Sequence, residues 1–325
     1  MTPVVLLHFH GRRTGVTRHV EDVARRLPAH VTGWGPLLGV RRLSWGALLD
    51  LAKSGPVVVH AHRNLELLAA LLLRRVKPSI RVAFTRHSAG RPSAWTRFLA
   101  RRADARVVLT RVALRELGLH AVVVPHGVDV GQFAPPADRA QSWRALGVGG
   151  SRGVAVVGRI RPSKGQQDLA EAWAVLGPRF PRWRAVLAGL ATRRWRAFAR
   201  RLAGLEQLGE LDDTPALYRG VTILVQPSRQ ESFSLVLLEA MASGCCVVAA
   251  ALPHYPELLE HGVTGFLYAP GDVPALVALL EPLLAEPSRA EAVGRAAAAD
   301  VRARWTLDAE VNALRDFYAR VERLR

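Results

Sequence analysis

The sequence predicts an α/β protein of two similar halves, each a parallel sheet flanked by helices. Three observations lead there. At 325 residues the chain exceeds the usual span of one domain and suits two, each large enough to bury a core. Short apolar runs bounded by turn residues alternate with stretches of helical periodicity, as in a parallel sheet with crossover helices. That alternation breaks over residues 131–150 and then restarts.

The first run, Val4–Phe9, reads as a strand. Residues 11–15 can turn, and Val16–Leu27 repeats apolar residues at helical spacing, which completes a βα unit. Further strands are expected at Val57–Val59, Arg81–Thr85, Ala105–Leu109 and Ala121–Val124. Pro135-Pro136 and Gly147-Val148-Gly149-Gly150 interrupt the pattern, so residues 136–150 read as a linker between a domain of residues 1–135 and one of residues 151–305. In the second domain, strands are expected at Val154–Val157, Arg184–Ala188, Val221–Val225 and Cys246–Ala250. The tail, residues 306–325, sets Val311, Leu314, Phe317, Tyr318 and Val321 on one side of a helix that could pack back on the first domain.

Composition narrows the function classes. Half the residues are hydrophobic and 6% aromatic, which suits a folded enzyme and not a disordered chain. The longest apolar stretches, Leu65–Leu73 and Cys245–Leu252, fall short of the ~20 residues a membrane-spanning helix needs. The start lacks a basic leader and reads as a strand, which points to the cytoplasm. Cys245 and Cys246, sequence neighbours, read as reduced and buried. Net charge is +18, and residues 1–150 hold 23 Lys and Arg against 8 Asp and Glu. So one-sided a field favours an anionic partner: nucleic acid, acidic lipid or a phosphorylated substrate.

Two motifs in the second half carry chemistry. Glu231 and Glu239 lie eight positions apart where a buried strand leads into a helix. With the helix starting near Ser234, Glu231 sits in the loop at its positive end and Glu239 on its second turn, one carboxylate for each sugar of a nucleotide diphosphate sugar. The backbone N–H groups at the helix start, around Ser234 and Leu235, would face the diphosphate between them. Upstream, Gly158-Arg159 and Lys164-Gly165 place two cations on the loop after the second domain's first strand, where such sheets bind ligands. Lys164 is one of only three lysines beside 42 arginines. A guanidinium and an ammonium there would offset charge building on a departing diphosphate. The competing reading is a solvated helix residue for Glu239 and solvated loop charges for Glu231, Arg159 and Lys164.

Together with Gly262-Val263-Thr264-Gly265-Phe266-Leu267, these motifs resemble, in order and spacing, glycosyltransferase family 4 of the GT-B superfamily, over nearly the whole chain. The resemblance implies two Rossmann-like domains with parallel sheets facing across a cleft. It implies a retaining, metal-independent hexosyltransferase that takes a nucleotide diphosphate sugar as donor and needs no cofactor. Arg159 and Lys164 would contact the diphosphate, Glu239 the ribose and Glu231 the transferred sugar. His87, at the end of Thr85-Arg86-His87-Ser88, would lie near that sugar, a structural strand-end histidine being the alternative. His126 stands where the family usually has Asn and takes no catalytic role. The first loop, His10-Gly11-Arg12-Arg13-Thr14-Gly15-Val16-Thr17, is similar to the Arg-Arg-x-Thr-Gly-Val-Thr opening of lipopolysaccharide core mannosyltransferases, which puts Gly15 at the donor or acceptor; it lacks the adjacent Gly-Gly common there, and a plain βα turn is the alternative. That similarity favours mannose, from GDP, and a lipopolysaccharide core or other phosphorylated lipid or glycan acceptor.

No metal site is expected: Asp212-Asp213 lacks Asp-x-Asp spacing, and His60 and His62 fall in no recognisable ligand set. Two basic segments, Arg91–Arg102 with Trp95, Phe98 and Leu99, and Arg193–Leu202 with Trp195 and Phe198, could lie on an anionic membrane at the cytoplasmic face, although packing an apolar stripe into a core is the commoner fate of such helices and the charge split supports only the first segment. Two other functions stay open: a nucleotide-sugar epimerase, which needs no basic acceptor face, and a nucleic-acid-binding protein, which explains the charge but not the glutamates.

Overall fold

The computed structural model describes residues 2–12, 14–88, 90–202 and 204–324. The chain divides into two compact units, Met1–Gly127 with Leu307–Arg325, and Val128–Thr306.

The first unit runs β1 (Val4–Phe9), α1 (Gly15–Arg26), β2 (Ala29–Trp34), α2 (Trp45–Ser54), β3 (Val57–Ala61), α3 (Asn64–Val76), β4 (Ile80–Arg86), α4 (Ala94–Arg102), β5 (Ala105–Val108), α5 (Arg111–Leu117) and β6 (Val122–Val123). Its six strands pair parallel in the order β2-β1-β3-β4-β5-β6. Because side chains alternate across a strand, Val4 and Leu6 enter one face of the sheet and Val5 and Leu7 the other. Helices α2 to α5 contribute to the second face, and Leu99 of α4 is in that core. The first face takes Val20 and Val23 of α1 and a long apolar stripe from the chain's last helix.

The second unit runs α6 (Arg139–Ala145), β7 (Arg152–Val157), α7 (Gln166–Leu176), β8 (Trp183–Ala188), α8 (Arg196–Arg200), β9 (Glu206–Gly209), α9 (Thr214–Gly220), β10 (Ile223–Gln226), α10 (Leu235–Ala242), β11 (Cys246–Ala250), α11 (Tyr255–Leu258), β12 (Phe266–Tyr268), α12 (Val273–Ala285) and α13 (Pro287–Arg304). The final helix, α14 (Leu307–Glu322), returns to the first unit, where Val311, Leu314, Phe317, Tyr318 and Val321 are buried. The second sheet, also parallel, is ordered β12-β11-β10-β7-β8-β9. Counted from β7 this is the 3-2-1-4-5-6 order of a doubly wound fold, whereas the first sheet has its strands in the 2-1-3-4-5 order with one strand added.

The segment expected as a linker is structured. Its α6 packs in the second unit through buried Trp143, whose ring occupies the space a side chain at Gly153 would need, a Cβ there falling 2.0 Å from it. Arg139 donates to the carbonyls of Tyr218, Ser243 and Gly244, so one guanidinium ties α6 to the C-terminal ends of α9 and α10. The second basic segment also turns inward: Leu202 is buried in the core and Phe198 packs against it. Trp95 and Phe98, by contrast, are 50% and 45% exposed. Cys245 and Cys246 are both free and buried. Among the described residues no helix is long and apolar enough to cross a membrane.

Candidate functional site

In a doubly wound sheet the chain winds outward in both directions from one central pair, and the loops leaving that pair diverge to open a crevice. In the second unit the pair is β7 and β10. The loop after β7 carries Gly158, Arg159 and Lys164, and the loop after β10 carries Glu231. Both expected motifs therefore arise at one point of the fold.

The two loops are bound together. Arg229 N–H donates to Ser163 O at 2.9 Å, and the Arg229 guanidinium grips buried Asp168 of α7 through two bonds, at 2.5 and 2.8 Å. Gly165 sits at φ +67° with Pro227 O against its α-carbon, so that a Cβ would fall 1.9 Å from that oxygen. Only glycine allows this approach. The closure brings Lys164 Nζ into an ion pair with Glu231 Oε1, both side chains about one-sixth exposed (15% and 16%). Glu231 also accepts from Gln226 Nε2 at 3.1 Å and Ser228 Oγ at 3.3 Å. Gly158, at φ +137°, lies beside the Lys164 stem, and the Arg159 side chain is exposed.

Helix α10 begins just beyond. Ser234 caps it, accepting from Leu237 N–H at 3.3 Å while holding a positive φ of 82°, rare outside glycine. The N–H groups of Leu235 and Val236 are the first of the helix, beyond the reach of any intrahelical carbonyl. The helix runs Leu235–Ala242, so Glu231 lies in the loop ahead of it and Glu239 within it. Glu239 is not a solvated helix residue: it is buried and accepts from Tyr218 O–H at 3.2 Å. His254, ahead of α11, is buried with Nε2 unpartnered, and burial lowers its pKa against the opposing pull of Glu231.

Two expected residues belong to the first unit. Gly15 opens α1 next to its cap, Thr14, and a Cβ there would meet nothing within 4 Å, so packing does not demand glycine. Arg13 of the same loop lies outside the described residues. His87 follows β4 and joins a group of histidines the sequence did not signal. Its Nε2 is 3.0 Å from His62 Nδ1 and its Nδ1 is 3.2 Å from His126 Nε2. His126 Nδ1 lies 2.9 Å, and His19 Nδ1 3.2 Å, from Glu310 Oε1 on α14. Burial alone would raise the Glu310 carboxyl, but His19 and His126 outweigh it and hold the pKa at about 2. Burial, reinforced by neighbouring histidines, sets His62 and His87 well below the ordinary imidazole value.

The profile of the family described as Glycosyl transferases group 1 matches residues 151–286, the second unit's sheet and its loops. Over 335 aligned residues the chain is 34% identical to the lipopolysaccharide core biosynthesis mannosyltransferase LpcC of Rhizobium leguminosarum bv. viciae, covering 97% of this chain and 95% of that one. The chain belongs to the glycosyl transferase group 1 family. The transferase is also 33% identical to the lipopolysaccharide core biosynthesis mannosyltransferase LpsB of Rhizobium meliloti (strain 1021), covering 97% and 96% of the two chains. Its fold matches that of Anabaena Alr3699/HepE, crystallised in complex with UDP, with a TM-score of 0.82 at 20% identity over 98% of this chain and 100% of that one. The resemblance read from the motifs is borne out, as is the GT-B fold of two parallel α/β sheets. The protein is a glycosyltransferase, and neither the epimerase nor the nucleic-acid reading is favoured by these relationships.

The residues that sequence reasoning missed in the second unit, Asp168, Gln226, Ser228 and Arg229, are those that hold the two loops together. The Arg229-Asp168 pair spans 61 positions, and no local pattern announces it.

Proposed function

We propose that this transferase moves mannose from a nucleotide diphosphate donor, GDP-mannose by preference, to a lipopolysaccharide core or related phosphorylated lipid or glycan acceptor, retaining the anomeric configuration and using no metal at the diphosphate. The observation that carries the reading is the meeting of Lys164 and Glu231 at the β7–β10 switch point, in front of the N-terminus of α10. Lys164 and Arg159 offset the charge that grows on the diphosphate as the sugar leaves, and the helix N-terminus, with the backbone of Gly158, Ser234 and Leu235, adds hydrogen-bond donors. Glu239 holds the ribose and Glu231 orients the departing sugar. His87 and the Gly15 loop serve the sugar and acceptor from the first unit. Departure from the front face, assisted by the diphosphate, accounts for retention. The names of the two Rhizobium relatives support mannose and the core acceptor. The reaction would run at the cytoplasmic membrane face, the chain resting there peripherally through α4.

Calorimetry with nucleoside diphosphates, then a nucleotide-sugar panel with a core acceptor, tests this. Lys164→Ala and Glu239→Ala should each weaken diphosphate binding roughly tenfold or more, the scale of a charge-assisted contact. Transfer of mannose with inversion, or unchanged nucleotide affinity in both variants, would refute it.

A further inference from the structure

In the first unit the strand order reverses between β1 and β3, and a doubly wound sheet opens its crevice at the carboxyl ends of that pair. Both strand ends are held by one buried carboxylate: Glu66 accepts from Phe9 N–H at 2.9 Å and from His62 N–H at 2.8 Å. Two exposed tryptophans border Phe9–Gly11, where the chain leaves β1. Trp34, the last residue of β2 and 54% exposed, has its ring against Gly11, 3.5 Å from where a Cβ would stand. Trp45, the first residue of α2 and 41% exposed, meets the Phe9 ring with centroids 5.9 Å apart. We infer that these two rings form a subsite for an anionic glycan, each packing on one face of a pyranose, while Arg12 and Arg42 meet the glycan's phosphate or carboxylate groups. The inference rests on the glycan acceptor proposed above and gives that acceptor a place on the first unit.

A pyranose turns C–H groups outward from its faces, and their partial positive charge suits the negative face of an indole. Its hydroxyls project at the rim and stay with water or polar groups, so a half-exposed ring serves a sugar better than a closed apolar pocket does. Single exposed hydrophobic side chains are ordinary on a surface, but two tryptophans against one short segment at the ligand-binding edge of a sheet are not scattered.

The backbone fixes Trp34 while leaving its ring out. His8 Nδ1 lies 3.1 Å from Trp34 O, and His10 N–H donates to the same oxygen at 3.5 Å. On either side, Gly33 and Gly35 hold φ at +132° and +125°, and a Cβ would fall 2.1 Å from His8 O in the first and 2.2 Å from His10 O in the second. The chain after β1 and the end of β2 therefore meet backbone to backbone, which only glycine allows, and the indole between them has a fixed root. A ring held in this way gives up little freedom when a sugar packs on it.

The charge around the rings has one sign. Arg42 donates to the Gly35 carbonyl at 3.0 Å, which brings its guanidinium to the residue following Trp34, and Arg12 follows the glycine on which the Trp34 ring lies. Both arginines are exposed, and among the described residues neither is in an ion pair. The acidic residues between Phe9 and Trp45 are Glu21 and Asp22 on α1, and both are engaged, Glu21 by Leu38 N–H and Asp22 by Arg25. Guanidinium groups take phosphate or carboxylate through paired hydrogen bonds, so the surface selects an acidic glycan over a neutral one.

The probe is a deacylated, phosphorylated lipopolysaccharide core oligosaccharide, titrated calorimetrically into the full chain before and after phosphatase treatment of the sugar. Trp34→Ala and Trp45→Ala should each weaken binding roughly three- to tenfold, the range of one aromatic contact, and Trp34→Phe, which keeps a ring, should restore most of it. Arg42→Ala should cost roughly tenfold with the phosphorylated probe and less with the dephosphorylated one. In transfer assays the tryptophan variants should raise the acceptor KM and leave kcat unchanged, the mark of lost uniform binding. Nucleoside diphosphate affinity and far-UV dichroism should not move, and Val76→Ala, an exposed apolar side chain at the last position of α3, should change nothing. Should Trp34→Ala fail to fold, Trp45→Ala and Arg42→Ala decide. A wild-type chain with no affinity for the probe overturns the acceptor reading and this inference together. Oligosaccharide binding that is equal in the wild type and in the double variant Trp34→Ala with Trp45→Ala overturns this inference alone. So does a double variant that loses binding to phosphatidylglycerol vesicles with its oligosaccharide affinity intact, which would assign the rings to a lipid surface.

Discussion

Gly165 shows how one atom decides the shape of the loop after β7. Its positive φ and the Pro227 carbonyl 1.9 Å from any added Cβ leave room for hydrogen alone. Gly165→Ala should therefore cost at least the roughly 1–2 kcal/mol of a left-handed non-glycine residue, plus the displacement of Pro227. Since that displacement parts the loops that pair Lys164 with Glu231, nucleoside diphosphate affinity should fall with stability. Parallel denaturant melts and calorimetry check this, and a variant with unchanged affinity would show that the loop contact does not position the site. Gly165, Lys164, Glu231 and Glu239 were legible in the sequence because each lies in a short motif just after a strand. Asp168 and Arg229, which brace the same loops, were not, because their partnership exists only once β7 and β10 are neighbours. The histidine group is the extreme case: residues 19, 62, 87, 126 and 310 have no spacing rule in common, and topology alone assembles them.

At the scale of elements, legibility followed position in the sheet. The interior strands, buried on both faces, read as unbroken apolar runs. The three strands that escaped the reading, β2, β9 and β12, are all edge strands, and β9 is the polar Glu-Gln-Leu-Gly. An edge strand has less apolar surface to bury and so a weaker signal. Helix α6 was hidden by the Pro and Gly residues around it, although Trp143 within it is fully buried. The stripe on α14, in contrast, was visible at helical spacing, and it covers one whole face of the first sheet with α1. Leu314, 2% exposed at the middle of that stripe, should be correspondingly costly to truncate. Leu314→Ala should destabilise the first unit by roughly 2–5 kcal/mol through lost burial and a residual cavity. Hydrogen exchange resolves the two units, and the loss should be confined to the first; equal loosening of the second unit's sheet would count against α14 being a component of the first core.

For the whole molecule the governing facts are the charge split and the apolar pair left outside the core. Residues 1–150 carry a net +15 and residues 151–325 only +3, counting 23 basic against 8 acidic and 22 against 19. Within the basic half, Trp95 and Phe98 stack on α4 with ring centroids 5.5 Å apart, and Arg102 lies over the Phe98 ring at 3.5 Å. Arg91, just ahead of the helix, and Arg101 and Arg102 in its last turn are exposed. Exposed aromatic rings on a helix rich in arginine suit an acidic lipid surface, where each basic residue contributes on the order of 1 kcal/mol. The chain should cosediment with vesicles containing phosphatidylglycerol and not with purely phosphatidylcholine vesicles. Raising ionic strength from about 0.1 M, where the screening length is about 10 Å, toward about 1 M, where it is about 3 Å, should release most of it. Trp95→Ala with Phe98→Ala should weaken what binding remains at moderate salt, because that part depends on buried apolar area. Binding to neutral vesicles, or binding indifferent to both salt and the double substitution, would count against an acidic lipid surface as the partner of the basic half.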